Sequence, residues 1–117
     1  MSAWPTELRV DRERTTLTVA YDNDERFSLP AEYLRVESPS AEVQGHAAAQ
    51  KTIVAGKRRV KIDKLEPVGN YAVRIRFDDG HDTGLYSWAY LHELGRDRER
   101  KWNEYLAGLR RTGGKRE

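Results

Sequence analysis

Apolar and polar residues alternate with a spacing of two in the first thirty residues of the chain. The alternation covers residues 8–10 and, after a charged stretch, residues 16–21. Because successive side chains of a strand point to opposite faces, this spacing predicts two half-buried strands that pair as a hairpin. Phe27 and Leu29 predict a third short strand, which ends at Pro30 because proline has no N–H to donate.

The clearest strand pattern lies between residues 71 and 77. Its apolar face consists of Tyr71, Val73, Ile75 and Phe77. Residues 78–80 contain the Asp and Gly that tolerate a tight turn, so residues 83–86 are predicted to return as the partner strand. The alternation at residues 60–62 indicates a further strand.

Three stretches carry helix signals. Residues 30–36 begin with a proline, which suits the first helical position. Ser87 is a good N-cap for a helix over residues 88–94, and Gly95 follows as a predicted C-terminal stop. A longer helix is predicted over residues 97–110 and should dock on the sheet through one apolar stripe. The stripe consists of Trp102, Tyr105, Leu106 and Leu109.

These elements predict an α+β fold, a single domain with an antiparallel sheet of about five to six strands and two C-terminal helices. The length of 117 residues fits one domain. Residues 38–42 predict a turn or a one-turn helix, and residues 45–56 a loop. We place the domain at residues 1–110 and expect residues 111–117 to form a flexible basic tail, because they have nothing apolar to bury.

The composition removes several classes of protein. The chain contains no Cys, so it has no disulfide, thiolate nucleophile or Cys-held metal or iron–sulfur cluster. Its net charge of +2 is too small to mark a nucleic-acid binder, although residues 96–117 carry 8 basic and 4 acidic side chains. No apolar run approaches the roughly 20 residues of a membrane helix, and the N-terminus lacks signal-peptide features, so we expect a cytoplasmic protein without membrane contact.

Few polar clusters in the sequence suggest chemistry. Asp78, Asp79, His81 and Asp82 lie within five residues and offer ligands for a divalent cation or groups for acid–base work, but a turn without metal is the favoured interpretation. His46 and His92 have no partners at ligand spacing and are expected to have ordinary surface roles. The basic run at residues 57–61 suits phosphate contacts, but we favour a charged edge strand. Neither a serine-hydrolase elbow nor a phosphate loop is visible.

Four segments occur in an order that is specific to one family. They are Leu29-Pro30-Ala31-Glu32-Tyr33-Leu34-Arg35, Ser38-Pro39-Ser40-Ala41-Glu42, Pro67-Val68-Gly69-Asn70-Tyr71-Ala72-Val73, and residues 77–91 from Phe77-Asp78-Asp79-Gly80-His81-Asp82 to Tyr90-Leu91. With them the chain strongly resembles the gamma-butyrobetaine hydroxylase-like N-terminal domain, a domain of unknown function in its bacterial, stand-alone form. The resemblance covers about residues 6–109.

The resemblance implies a lost metal site. In the carnitine-synthesis oxygenases this domain precedes a catalytic domain that uses iron and 2-oxoglutarate, which is missing here, and it binds a structural zinc through three Cys and one His. On this alignment His81 matches the histidine, while Ser38, Ser40 and Val43 replace the cysteines. Hydroxyls and Val cannot replace thiolates in a tetrahedral zinc site, so we expect neither a metal nor another cofactor, and no catalytic residue.

The resemblance also implies a role beside other proteins. A related domain is appended to some iron–sulfur cluster carrier ATPases, so we expect a non-catalytic accessory or protein-interaction module whose partner is linked to iron–sulfur or redox machinery. The alternatives are a small ligand-binding domain or enzyme of unknown reaction, and a weak nucleic-acid binder that uses the basic C-terminal helix and tail. The predicted partner-binding residues are Asp78, Asp79, His81, Asp82, Tyr86 and Trp88. For Tyr86 and Trp88, core packing is the stronger alternative.

Overall fold

The structure, a computed structural model, describes residues 4–45 and 51–117. These residues form six antiparallel strands and four helices, which confirms the predicted α+β class. The strands are β1 (Pro5–Val10), β2 (Thr16–Tyr21), β3 (Arg26–Pro30), β4 (Ile62–Val68), β5 (Ala72–Phe77) and β6 (Leu85–Ser87), and the helices are α1 (Ala31–Val36), α2 (Ala41–Gln44), α3 (Trp88–Arg96) and α4 (Arg98–Thr112). Among the described helices, none combines the length and apolarity needed to cross a membrane.

The six strands divide into two sheets of three, ordered β1-β2-β3 and β4-β5-β6. The predicted hairpin of the first two strands is present, with Leu8 opposite Val19 and Val10 opposite Leu17. The predicted return strand after the Asp78–Gly80 turn is present as β6. Strand β3 runs directly into helix α1, which ends the first sheet. The second half of the chain forms the other sheet, in which β4 pairs with β5.

One hydrophobic core draws on both sheets and on two helices. Its fully buried members include Leu17, Val19 and Leu29 of the first sheet, Ile62, Val73, Ile75, Phe77 and Tyr86 of the second, and Tyr33, Leu34, Leu91 and Leu94 of α1 and α3. The sheets are also joined through polar atoms at Arg14 and Ile62. The Ile62 N–H donates to the Arg14 carbonyl oxygen at 2.8 Å, and the Arg14 guanidinium donates to the Asp63 carbonyl oxygen at 2.6 Å.

The region between the two sheets is mostly irregular. Pro30 occupies the N-cap of α1, and α2 is a single turn, which fits the prediction for residues 38–42. Residues 51–55 have no helix or strand, as expected for a loop. His46 lies outside the described residues. The predicted edge strand at residues 57–61 is wrong, because these residues form a turn and β4 begins only at Ile62.

Helix α3 begins as predicted and ends later. The Ser87 hydroxyl accepts the Tyr90 N–H at 3.1 Å and so caps the helix. Gly95 does not stop the helix, which continues to Arg96. The glycine is needed for another reason, since a Cβ at this position would lie 2.3 Å from Cγ of Phe27. The prediction of a C-terminal stop was therefore wrong, and close packing explains the residue.

Helix α4 divides its stripe between two clusters, so the predicted docking on the sheet describes only part of it. Trp102 packs against the main core, and the rest of the stripe lies against loop and helix residues. Tyr105 and Leu109 are buried in a second small cluster with Val36 and the partly buried Ile53 and Val54. The Tyr105 hydroxyl donates to the Val54 carbonyl oxygen at 2.6 Å. Trp102 packs against both this cluster and the main core, so the stripe of α4 joins the irregular segment to the core.

The C-terminal residues fold back onto the domain. The N–H groups of Gly56 and Arg58 donate to the carbonyl oxygens of Lys115 and Arg116, at 2.8 and 2.9 Å. Gly113, with a positive φ of 74°, turns the chain at the end of α4. The prediction of a flexible tail from residue 111 did not anticipate these contacts, because they rest on backbone groups and charge rather than on apolar burial.

Candidate functional site

His81 is placed by the turn between β5 and β6. The Phe77 N–H donates to the His81 carbonyl oxygen at 2.9 Å, and Gly80 adopts a φ of +91° within the turn. Positive φ is readily adopted by glycine, so the Asp-Gly pair predicted the turn correctly. The turn directs the imidazole inward, where it is 7% exposed.

Two serines from the connection between α1 and α2 meet this imidazole. Ser38 Oγ lies 2.8 Å from His81 Nε2, and Ser40 Oγ lies 3.4 Å from the same nitrogen. Ser38 is fully buried and Ser40 is 7% exposed. We call Ser38, Ser40 and His81 the serine–histidine cluster. It ties the β5–β6 turn to the α1–α2 connection across about forty positions of sequence.

Asp79 makes a second link between the same two regions. Its Oδ2 accepts the Arg35 Nε at 2.8 Å and the Lys57 Nζ at 2.6 Å, while its Oδ1 accepts the His81 N–H at 3.0 Å. Burial raises the pKa of Asp79, but the bonds from Lys57, His81 and Arg35 outweigh it and lower the pKa to about 2. Asp79 is therefore charged and already satisfied by three donors. Sequence reasoning missed Arg35 and assigned Lys57 to a charged edge strand, because no local signal links either residue to Asp79.

A carboxylate also approaches the other imidazole nitrogen. Glu42 Oε2 lies 3.3 Å from His81 Nδ1, outside hydrogen-bond geometry, so Nδ1 is buried without a partner among the described residues. Ser38, His81 and Glu42 have the composition of a hydrolytic triad. However, the Ser38 hydroxyl is fully buried, so no substrate can reach it in this arrangement.

The imidazole is held in a setting that disfavours its charged form. Burial lowers the pKa of His81, and the nearby positive charge of Arg35 lowers it further, against the opposing effects of Glu42 and Asp79. With a pKa below the usual value near 6.5, His81 is neutral at neutral pH. A neutral imidazole can share a hydrogen bond with Ser38 through Nε2, which fits a structural role.

A zinc ion, which the family resemblance implies, does not fit these residues. The structure brings Ser38, Ser40 and His81 together, but the two hydroxyls already lie within hydrogen-bond reach of His81 Nε2. Val43 is buried and offers no donor atom. Zinc sites in proteins are built from thiolates, imidazoles and carboxylates, and here only one imidazole matches. Within the described ranges, no group of three His, Cys, Asp or Glu side chains is placed to hold a metal.

The residues predicted to bind a partner do not form one open surface. Tyr86 is fully buried and its hydroxyl donates to the Leu34 carbonyl oxygen at 2.5 Å, so it belongs to the core. His81 is buried as well. Trp88 is partly buried, and its Nε1 donates to the Asn70 carbonyl oxygen at 2.7 Å. Asp78 accepts the Lys61 N–H at 2.9 Å.

Three of the other basic and histidine candidates that the structure describes lie in ion pairs or hydrogen bonds within the domain. Lys57 pairs with Asp79, and Arg58 Nη1 lies 2.7 Å from Glu117 Oε1. His92 Nε2 lies 2.7 Å from Glu25 Oε1. Part of the positive charge of the basic run at residues 57–61 is therefore neutralised by ion pairs within the domain.

The exposed face of the second sheet carries positive charges that are not in ion pairs among the described residues. Lys64 lies opposite Arg76 on the neighbouring strand, and Arg74 lies opposite Leu85 on the other side. All four side chains are exposed, Leu85 by 40%. We call Lys64, Arg74, Arg76 and Leu85 the basic face. Among the described residues, none of its three cations lies in an ion pair.

Comparisons with known proteins give a consistent picture. A family model described as gamma-butyrobetaine hydroxylase-like, N-terminal, matches residues 8–92. A search of curated proteins gave no match.

Similar solved structures include two determined by NMR in solution. One is 43% identical to this chain, with a TM-score of 0.86 over 100% of this chain and 92% of its own. The other is 45% identical, with a TM-score of 0.84 over 98% of this chain and 86% of its own. A crystal structure of a protein of unknown function from Acidithiobacillus ferrooxidans, assigned to the DUF971 family, is 36% identical, with a TM-score of 0.65 over 78% of this chain and 91% of its own.

Proposed function

The chain belongs to the gamma-butyrobetaine hydroxylase-like N-terminal domain family, and from this premise we propose that it is a non-catalytic accessory module that docks on another protein. The polar cluster that corresponds to the family's metal position is buried, and its Ser38 hydroxyl and His81 Nε2 lie within hydrogen-bond distance of each other, which supports a structural role for it. A function that needs contact with other molecules then belongs to the surface. The observation that carries the proposal is the unpaired charge of the basic face.

The arrangement of charges on the basic face lowers the stability of the isolated domain. Like charges directly opposite each other on neighbouring strands destabilise a sheet, and Lys64 faces Arg76 in this way. Glu66 faces Arg74 but does not reach ion-pair distance. An acidic partner would supply the missing countercharge, and a sheet requires little ordering on binding.

The mixture of residues favours an acidic protein surface as the partner. The exposed Leu85 adds apolar contact area within the cations, and Tyr71, 56% exposed, lies at the β4–β5 turn. Protein interfaces combine such anchors with complementary charge. Nucleic acid is less well supported, because Lys57, Arg58 and Arg116 of the earlier candidate stretches are in ion pairs with Asp79, Glu117 and Glu32. The resemblance suggests a partner from iron–sulfur or redox machinery.

Affinity capture with charge-reversed variants tests this proposal. Wild-type protein is expected to retain a specific acidic protein from the native cell, and Arg74→Glu with Arg76→Glu should lose it at least tenfold. The matched control is Arg110→Glu with Arg111→Glu, which reverses two exposed charges on α4 and should retain the partner. Arg76→Glu should also stabilise the free domain by about 0.2–1 kcal/mol, since it turns a repulsive pair with Lys64 into an attractive one.

Three outcomes of that experiment would overturn the proposal. Equal capture by the two charge-reversed proteins would show that the basic face is not the contact. Captured material that disappears on nuclease treatment would assign the domain to nucleic acid. A retained small molecule with no macromolecular partner would favour a ligand-binding domain or an enzyme.

A further inference from the structure

Arg116, the residue before the C-terminal Glu117, forms part of the wall of a cavity between α1 and α4. The cavity has a volume of about 670 Å³, and its lining includes Tyr33 and Glu32 of α1 and Trp102 of α4. Glu32 accepts two hydrogen bonds from the guanidinium, at 2.9 Å from Nε to Oε2 and 2.7 Å from Nη2 to Oε1. The guanidinium carbon lies 5.3 Å from the centroid of the Trp102 ring. The Arg116 guanidinium therefore makes both a paired hydrogen bond to a carboxylate and a contact with an aromatic ring.

These contacts select a guanidinium over other cations. A planar guanidinium can donate two parallel hydrogen bonds to a carboxylate, which the compact ammonium of lysine cannot reproduce. Its flat face also stacks on aromatic rings, which adds a cation–π contribution. Tyr33 packs edge-on against Trp102, with ring centroids 6.3 Å apart, and so fixes the orientation of the indole.

Glu32 requires a cation in this position. Its side chain is 8% exposed, and a buried carboxylate is costly unless it is paired. Among the described residues, Arg116 supplies the ion pair to Glu32. The site is therefore built around one buried charge and one aromatic face, with the counterion delivered from the far end of the chain.

Arg116 is attached in a way that allows it to leave. Gly113 and Gly114 separate it from α4, and its own side chain is 39% exposed. Two backbone hydrogen bonds hold the tail, and each contributes only about 0.5–1.5 kcal/mol net. The Arg58–Glu117 ion pair that accompanies them is more than half exposed and adds little.

We infer that Glu32, Tyr33 and Trp102 in the wall of this cavity form a guanidinium-binding site whose ligand is an arginine side chain from a peptide segment of a partner protein, and that Arg116 occupies the guanidinium position in the free domain. Charge complementarity with Glu32 identifies the ligand, and the chain's own tail shows the bound geometry. A ligand competes with an intramolecular arginine, so opening the tail increases apparent affinity. This site does not depend on the basic face or on its partner.

The test uses the full chain with Arg116→Ser, which keeps the tail but frees the guanidinium position beside Glu32 and Trp102. The probe is the peptide Gly-Gly-Lys-Arg-Glu, titrated while the indole N–H signal of Trp102 is followed by NMR. We expect the peptide to bind Arg116→Ser at least tenfold more tightly than wild type. The matched control Arg110→Ser removes an exposed charge from α4 and should behave as wild type. The peptide with Lys in place of Arg should bind at least fivefold more weakly.

Two further variants keep the test decisive. Glu32→Gln in the Arg116→Ser chain should abolish binding. Trp102→Leu in the same chain should weaken it several-fold, with binding followed through the backbone N–H signal of Glu32 because the indole is gone. Folding is checked by the remaining NMR signals. Equal binding of the Arg and Lys peptides, or no binding to Arg116→Ser, would overturn the inference. A wild-type dimer that dissociates in Arg116→Ser would assign the cavity to the tail of a second copy and would also overturn it.

Discussion

Replacing Gly84 by alanine is expected to lower the free energy of unfolding by about 2–3 kcal/mol, at the upper end of typical overpacking costs. A Cβ at this position would lie 2.5 Å from Ser38 Oγ and 3.1 Å from Cε1 of Tyr86. Both neighbours are fully buried, and both are fixed by hydrogen bonds, Ser38 to His81 and Tyr86 to the Leu34 carbonyl oxygen. The added methyl group must therefore disturb the serine–histidine cluster itself.

Urea unfolding of a double variant shows whether this contact is the cause. In a Ser38→Ala background the nearest clashing atom is absent, so Gly84→Ala should cost at least about 1 kcal/mol less than in wild type. An equal cost in both backgrounds would show that the cluster does not pack against Gly84 as described.

Gly95→Ala is expected to destabilise the domain by about 2 kcal/mol, although alanine is the better helix former by about 1 kcal/mol. The substitution would place a Cβ 2.3–2.8 Å from three ring atoms of Phe27, which packs across the end of α3. The backbone of Gly95 is helical, so the clash is the only cost.

The sign of this effect should reverse when Phe27 is removed. In a Phe27→Ala background, Gly95→Ala should stabilise the domain by up to about 1 kcal/mol through helix propensity alone. Destabilisation of similar size in both backgrounds, measured by urea unfolding, would mean that Gly95 serves the backbone and not the contact with Phe27.

Gly95 also shows where local sequence signals stop being informative. A glycine after an apolar run favours a helix end, and nothing near residue 95 indicates a phenyl ring from residue 27. The strands were predictable for the opposite reason. Alternation at residues 71–77 is local and reports burial directly, so β5 was predicted closely. Alternation defines faces but not pairing partners, and the division into two sheets was therefore not visible.

The candidate site was partly predictable as well. The family resemblance placed Ser38, Ser40 and His81 at related positions, and the structure brings them within hydrogen-bond reach. The resemblance carried no information on the ion pairs around Asp79, because Arg35 lies 44 positions away and its charge has no special pattern. Tyr86 was named for a surface with core packing as the stronger alternative, and it belongs to the core, since an aromatic residue in an alternating strand serves either role.

The contacts of the C-terminal residues were not predictable for a related reason. A polar segment with two glycines has the composition of a free tail, and composition does not reveal a buried carboxylate elsewhere in the chain. Glu32 and Arg116 are 84 positions apart. Only the folded arrangement of α1 and α4 brings Glu32 and Trp102 together at the position where Arg116 lies.

Elemental analysis of the purified, dialysed protein tests most directly that the serine–histidine cluster joins the β5–β6 turn to the α1–α2 connection without a metal. We expect no stoichiometric zinc and a thermal midpoint that is unchanged by a chelator, because two hydroxyls and Val43 cannot complete a zinc site around His81. One zinc per chain that survives dialysis, and that is lost in His81→Ala, would contradict it.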